Sequence, residues 1–182
     1  EITNGDQDVL LFSSAGKCIR FHESDVRSMG RTARGVKGIN LKKGQHVVSM
    51  FVAEEGQVLT CTEHGFGKQT KLEEFSRIRR GGQGVIAIQT SERNGGLVGA
   101  CQVLPEDQVM LISNGGTLVR TSVSGISSLG RNTQGVTLIR LAEGESLVGL
   151  AKIINMEDDE DDSLQSDEVE AAGHDSEGSD DA

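Results

Sequence analysis

Three loops of the 182-residue chain combine glycine with basic side chains at matching positions. They span residues 29–35, 78–84 and 129–135, and one arginine has the same place in each: Arg31, Arg80 and Arg131. Cations repeated at regular intervals match the evenly spaced charges of a nucleic-acid backbone. Glycine adds to this chemistry because a residue without Cβ lets main-chain N–H groups come close to a phosphate. The loops therefore predict a track for a polyanion.

Positive charge is concentrated in the stretches that contain these loops. Residues 27–43 hold six bases and no acid, residues 68–80 five bases and two acids, and residues 120–140 three bases and no acid. Residues 1–156 have 18 bases and 15 acids in total, which leaves four bases and 13 acids, a net charge of −9, outside the three stretches. This part of the chain is therefore strongly polarised.

Duplex DNA fits this pattern better than a single strand, because single-strand binding normally uses exposed aromatic rings for base stacking. The chain has neither Trp nor Tyr, and its five Phe lie mostly in strand-like runs. We expect phosphate contacts along a curved rim toward which DNA bends, with little direct reading of bases. The candidate residues are Arg31, Arg34, Lys37, Lys42, Lys43, Lys68, Lys71, Arg79, Arg80, Arg120 and Arg131.

The sequence offers no catalytic, nucleotide or metal motif. It has no Gly-x4-Gly-Lys-Ser/Thr loop, and residues 65–70, Gly-Phe-Gly-Lys-Gln-Thr, carry threonine where the dinucleotide pattern needs its third glycine. The three histidines before the tail are 24 and 18 residues apart, without a metal-ligand pattern. Three cysteines lie inside apolar runs, where we expect them to pack in the core: Cys18, Cys61 and Cys101.

The basic loops belong to a unit that occurs three times. Residues 9–13 recur as 58–62 and 109–113, so the copies begin 49 and 51 residues apart. A glycine follows seven residues after the first valine of each copy, and a Gly-Val pair opens a later run: Gly35-Val36, Gly84-Val85 and Gly135-Val136. Landmarks that stay in phase indicate one structural unit repeated.

Each unit contains four short runs that read as β-strands. In the second copy they are residues 57–62, 68–72, 84–89 and 97–103, rich in Val, Ile and Thr and too short for helices. A lone four-stranded sheet cannot cover its apolar faces, so the copies must pack together. We predict an all-β fold, a β-propeller or β-pinwheel of about three four-stranded blades over residues 1–156, with repeats at about 5–53, 54–103 and 104–153.

The last 26 residues differ from the rest in composition. Residues 157–182 contain 13 of the 28 acids and no base, and we expect this tail to be disordered. Two roles stay open for it, a solubilising end or an autoinhibitory segment that competes with DNA for the basic rim. The chain begins with Glu1, and three units fall short of a usual propeller, so we expect a fragment of a longer protein. No apolar run is long enough to span a membrane.

Four motifs and the acidic tail give the chain a family resemblance. They are Gly-Phe-Gly-Lys-Gln-Thr at 65–70, Ser-Glu-Arg-Asn-Gly-Gly at 91–96, Leu-Val-Arg-Thr at 118–121 and Gly-Arg-Asn-Thr-Gln-Gly-Val at 130–136. On these the chain resembles the C-terminal DNA-wrapping domains of DNA gyrase A subunits, which topoisomerase IV A subunits share in looser form. The family has a diagnostic basic sequence, Gln-Arg/Lys-Arg-Gly-Gly-Arg/Lys-Gly. Residues 78–84 match it only in part, because Ile78 replaces the first glutamine and Gln83 replaces the second-to-last, basic residue.

The resemblance implies a six-bladed pinwheel, or nearly so, whose outer edge bends DNA, with this chain as its last three blades. It implies three partners: duplex DNA, the rest of the gyrase A subunit, and the gyrase B subunit. These would form an A2B2 assembly that introduces negative supercoils with ATP in the bacterial cytoplasm, at the nucleoid. ATP and Mg²⁺ are expected elsewhere in that assembly, with no cofactor in this segment. Such enzymes cut DNA through a tyrosine, so this chain without Tyr is expected to be no enzyme by itself.

Two other interpretations remain. One is the C-terminal domain of a topoisomerase IV A subunit, since the choice of gyrase rests on overall similarity and the tail. The other is a propeller that holds a protein partner and turns its basic loops toward acidic side chains.

Overall fold

The computed structural model describes residues 1–153, and the acidic tail at 157–182 lies outside the described residues. Eleven strands account for its regular structure: β1 Asp8–Ser13, β2 Lys17–His22, β3 Val47–Val52, β4 Gln57–Thr62, β5 Phe66–Lys71, β6 Val85–Ile86, β7 Leu97–Val103, β8 Gln108–Ser113, β9 Leu118–Ser122, β10 Val136–Thr137 and β11 Leu147–Ile153. Short 3-10 turns follow β2, β5 and β9, at Glu23–Asp25, Leu72–Glu74 and Val123–Gly125. Within residues 1–153 no helix is long and apolar enough to cross a membrane.

The strands form three antiparallel sheets, one after another along the chain. Their orders are β3-β1-β2-β6, β10-β5-β4-β7 and β11-β8-β9. Each sheet is built around a tight hairpin. The inner strands of the three sheets are β3, β7 and β11 in that order; β3 contacts β7, and β7 contacts β11. The predicted all-β fold of repeated blades is confirmed. The limits of the repeats stay predictions.

The outer strand of each four-stranded sheet comes from the following repeat. Strand β6 pairs with β2 through Lys17↔Ile86 and Cys18↔Val85, and β10 pairs with β5 in the same way one repeat later. The sequence predicted instead that the four runs of a repeat share one blade. The exchange is physically simple, because a two-residue strand cannot form a sheet by itself and the open edge of the preceding hairpin supplies its hydrogen bonds.

A glycine in the turn of each of the first two hairpins makes room for the exchanged segment. The carbonyl of Gly16 accepts hydrogen bonds from the N–H groups of Ala87 at 2.8 Å and Ile88 at 3.3 Å. Gly16 has φ of 70°, and a Cβ on it would lie 2.3 Å from the carbonyl oxygen of Ile88. Any other residue would therefore clash with the exchanged segment as well as strain its own backbone. Gly65 has the same relation to the third repeat.

Two of the three core clusters in residues 1–153 lie between neighbouring sheets, and the third packs around Ile19 and Phe21 of β2. The first cluster joins Leu10 and Phe12 of β1 to Val58 of β4, and the second joins Leu59 and Cys61 of β4 to the third sheet. Alternate residues of β4 thus face opposite sheets, which explains why this strand is buried along almost its whole length. Two predicted core thiols, Cys18 and Cys61, are fully buried, while Cys101 is partly buried, and all three are free.

Candidate nucleic-acid interface

The basic loops lie along the outer edge of the three sheets. Each loop follows the 3-10 turn after a hairpin, and the second and third loops lead to β6 and β10, the strands exchanged with the preceding sheets. Hydrogen bonds join the second loop to residues 37–40 and the third loop to residues 86–89, so each lies against the segment that follows the loop before it. The loops therefore recur along one edge of the stack.

Two of the three matching arginines form the same hydrogen bond. Arg80 Nη1 donates to the carbonyl of Lys37 at 3.0 Å, and Arg131 Nη1 donates to the carbonyl of Ile86 at 3.0 Å. The two acceptors are the residues that follow the Gly-Val pairs of successive repeats. Arg31 is exposed. Arg80 and Arg131 thus occupy equivalent places one repeat apart.

Neither of these two arginines is free to turn wholly toward solvent. Both are partly buried, and Arg80 also donates from Nε to the carbonyl of Asp25 at 2.7 Å. The Nε of Arg131 is buried without an acceptor within residues 1–153, while its main-chain N–H donates to Glu74 Oε2 at 2.9 Å. Each arginine therefore fastens its loop to the preceding repeat, and only the remaining guanidinium N–H groups can reach a phosphate.

Lys68 does not lie on the surface, and its assignment to phosphate contact is wrong. The residue is fully buried, and its Nζ donates to the carbonyls of Gly130 at 2.5 Å and Arg131 at 2.7 Å. Burial lowers the pKa of Lys68 to about 8; the nearby Glu74 acts in the opposite direction, and the charge of Arg131 lowers it further. The error had a visible signal, because the same place in the other repeats is held by Ile19 and Val119.

Arg120 of the third repeat corresponds to Arg20 and Gln69 of the first two, and those two side chains join neighbouring repeats. Arg20 Nη1 donates to the carbonyls at both ends of residues 72–75, at 3.2 and 3.3 Å. Gln69 Nε2 donates to the corresponding carbonyls of residues 123–126, at 2.8 and 2.7 Å. Arg120 follows its hairpin glycine by the same four residues, but it is exposed and bonds Gln108. Its contact with phosphate stays a prediction. The equivalent side chains, Arg20 and Gln69, bond main-chain carbonyls of the same chain instead.

The other candidates are exposed. Those of the first repeat form the largest group, and Lys42 and Lys43 lie near the turn between β1 and β2, where the main chains of Ser14 and His46 are hydrogen-bonded. The exposed candidates, Arg120 aside, are Arg31, Arg34, Lys37, Lys42, Lys43, Lys71 and Arg79. Their position is compatible with phosphate contact, and their role stays a prediction.

Arg93 was missed by sequence reasoning. Its guanidinium carbon lies 4.8 Å from the ring centroid of Phe66, and Nη1 donates to Gln134 Oε1 at 3.3 Å. Arg93 is exposed and therefore adds a cation beside the third basic loop. Counting charges along the chain could not find it, because Glu92 precedes it and its stretch has no net charge.

Comparisons with known proteins agree with this architecture. The family model described as "DNA gyrase C-terminal domain, beta-propeller" matches residues 7–54, 56–100 and 107–154. The DNA gyrase A subunit of Pseudomonas aeruginosa is 60% identical over 153 residues, 84% of this chain and 17% of the relative. The corresponding protein of Salmonella typhimurium is 53% identical over 161 residues, 88% of this chain and 18% of the relative. The chain thus spans less than a fifth of the length of these relatives.

Solved structures give the same result for the fold. A DNA gyrase A C-terminal domain aligns with a TM-score of 0.77 at 28% identity, covering 84% of this chain and 52% of that one. The C-terminal domain of a DNA topoisomerase IV aligns with a TM-score of 0.78 at 26% identity, covering 84% and 48%. The family model matches all three repeats, and the repeated sheets and the solved structures agree with it. The chain therefore belongs to the DNA gyrase C-terminal domain family of β-propellers.

Proposed function

We propose that this chain binds duplex DNA without sequence preference and bends it along the outer edge of its sheets, as the C-terminal domain of a gyrase A subunit. The observation that carries the proposal is the equivalent placement of Arg80 and Arg131 one repeat apart, beside exposed bases on the same edge. Basic side chains repeated at equal intervals along an arc would bind a DNA phosphate backbone most strongly when the duplex bends to follow that arc. Bending 20–30 base pairs by 40–90° costs about 1–6 kcal/mol, so several distributed contacts are needed.

The wider setting is also a proposal. The relatives are DNA gyrase A subunits, and the matching family model describes a gyrase C-terminal domain. We infer that the chain acts in an A2B2 assembly, together with the rest of its A subunit, the gyrase B subunit, and duplex DNA, in the cytoplasm at the nucleoid. In that assembly it would support ATP-dependent negative supercoiling, with ATP and Mg²⁺ bound elsewhere.

Salt dependence tests the proposal directly. If the 182-residue chain neutralises about six phosphates of a linear duplex, the slope of log K against log[salt] is about −5. A slope near zero would overturn DNA binding through the rim. The same titration with Arg31, Arg80 and Arg131 changed to alanine separates this function from a protein-binding propeller, which would neither shift a duplex nor respond to the substitutions.

A topoisomerase IV role is the second candidate, supported by the TM-score of 0.78 to such a domain. The distinguishing experiment joins the chain to the DNA-cleaving part of a gyrase-type protein and supplies the ATP-binding partner with ATP. Negative supercoils introduced into relaxed circular DNA support the gyrase assignment, and relaxation alone supports the alternative.

A further inference from the structure

We propose that Lys68 is a positioning residue for DNA binding, which holds the third basic loop in its DNA-facing conformation without touching DNA itself. This proposal rests on the proposed function. A lysine is almost never fully buried unless its ammonium is paired, and in Lys68 the charge is used entirely inside the protein. The two carbonyls it binds belong to the loop that carries Arg131.

A series of hydrogen bonds attaches residues 127–131 to β5, and Lys68 makes the bonds to the last two of these residues. The main-chain N–H of Gln69 donates to the carbonyl of Ser127 at 3.0 Å, and its carbonyl accepts from Leu129 N–H at 2.9 Å. The hydroxyl of Thr70 then donates to the carbonyl of Leu129 at 2.9 Å. Beyond Leu129 the ammonium of Lys68 extends the attachment over the next two residues. Lys68 therefore holds the start of the loop, and the Arg131 bonds to Glu74 and Ile86 hold it from the other side.

The second loop is held differently, which makes Lys68 specific to the third. At the place of Lys68 the first hairpin has the fully buried Ile19, which packs in an apolar cluster. The second loop shares the arginine Nη1 bond with the third, and it is held in addition by Arg80 Nε and by the Gly81 N–H, which donates to the carbonyl of Gly38 at 2.5 Å. Only the third loop thus depends on a buried lysine among residues 1–153.

Two charged groups face the ammonium. Glu74, on the 3-10 turn after β5, accepts the Arg131 N–H and favours the charged form of Lys68, and the Arg131 guanidinium opposes it. Because burial brings the pKa of Lys68 to about 8, a modest rise in pH removes its charge, whereas exposed lysines stay charged to about pH 10. A neutral amine still donates hydrogen bonds, but they are about half as strong as those of an ammonium.

The test compares Lys68→Met with Lys71→Met, the same substitution at an exposed lysine on the same strand. With the full chain and linear duplex, we expect Lys68→Met to weaken binding about three- to tenfold while the salt slope stays within about 0.3 of the original. Lys71→Met is expected to reduce the slope by about 0.9, the value for one lost phosphate contact. Hydrogen exchange in residues 129–133 should become faster in Lys68→Met, with the first sheet unchanged.

Three results would overturn the role of Lys68: a slope reduced as in Lys71→Met, faster exchange with unchanged affinity, or faster exchange throughout all three sheets. Should Lys68→Met fail to fold, the original chain still provides a test. Its affinity is expected to fall at least about twofold between pH 7 and pH 9.5, as the charge-assisted bonds weaken. A constant affinity would overturn the proposal, and an original chain with a flat salt response would instead overturn DNA binding itself.

Discussion

Arg131 Nη1 lies 3.0 Å from the carbonyl oxygen of Ile86, in the strand that the second repeat gives to the first sheet. One side chain thus connects the third repeat to the segment that ties the second repeat to the first. A guanidinium held in this way has few conformations left to lose when it meets a phosphate. The same residue thus has a structural role and the proposed role in DNA binding, so variants of neighbouring residues are needed to separate the two.

Arg79 and Arg80 are neighbours with different surroundings, and we expect their alanine variants to differ. Arg80→Ala removes two hydrogen bonds to main-chain carbonyls and should lower the free energy of unfolding by about 1–2 kcal/mol. It should also weaken duplex binding. Arg79 is exposed, so Arg79→Ala should reduce the salt slope by about 0.9 and leave the urea midpoint unchanged. Equal stabilities of the two variants would contradict the anchoring role of Arg80.

The hairpin glycines allow a matched comparison of the strand exchange. In Gly16→Ala the new Cβ would lie 2.3 Å from a main-chain oxygen, and we expect a loss of about 2–5 kcal/mol of unfolding free energy. Gly116 has φ of 86° but no atom within 4 Å of such a Cβ among the described residues. Gly116→Ala should therefore cost only the backbone strain, about 1–2 kcal/mol. Urea unfolding of both variants measures the difference, and similar losses would speak against the exchange.

Thiol reactivity should report on the core. Burial raises the pKa of Cys101 to about 11, and it raises the pKa of Cys18 and Cys61 still further. Because the thiolate is the reactive form, Cys101 at pH 8 should alkylate more slowly than an exposed thiol by a factor on the order of 100. Its rate should rise about tenfold per pH unit up to pH 10, and Cys18 and Cys61 should react only after unfolding. Mass spectrometry of iodoacetamide-treated protein gives the order of reaction; rapid labelling of Cys61 at pH 8 would contradict the fold.

Deletion of residues 157–182 tests the inhibitory role of the acidic tail. The deletion removes 13 carboxylates and no base, and we expect duplex binding to tighten several-fold at about 50 mM salt. At about 300 mM salt the two proteins should converge, because screening weakens competition between charges. A chain of equal length with these acids changed to Asn and Gln is the control. Equal affinities at the lower salt concentration would leave the tail a solubilising segment.

Much of the fold could be predicted because each repeat carries its own copy of the strand pattern. The runs at 57–62 and 97–103 match β4 and β7 residue for residue, since alternation and turn glycines mark strand ends. The exchange could not be predicted in the same way. A Gly-Val run has the same apolar pattern whether it joins its own sheet or the previous one, and only tertiary packing decides between them.

The candidate site was predicted less well, and the reason is geometric. A count of charges along the chain treats Lys68 and Lys71 alike, although β5 is covered on both faces up to Thr70 and only its end reaches solvent. The chain position of Arg80 and Arg131 was informative, because equal spacing placed them at equivalent sites. Their bonds to the preceding repeat could not be predicted from the sequence, since the acceptors are main-chain carbonyls, which every residue possesses.

The exchanged strands also decide how this protein carries a load. If the chain bends DNA as proposed, the duplex tends to straighten and so pulls outward on the edge that holds it. Because β6 and β10 are each covalently part of one repeat and hydrogen-bonded to another, that pull would be resisted by main-chain hydrogen bonds between repeats as well as by the apolar contacts between sheets. The exchanged strands would then distribute the elastic force of the bent duplex over all three repeats.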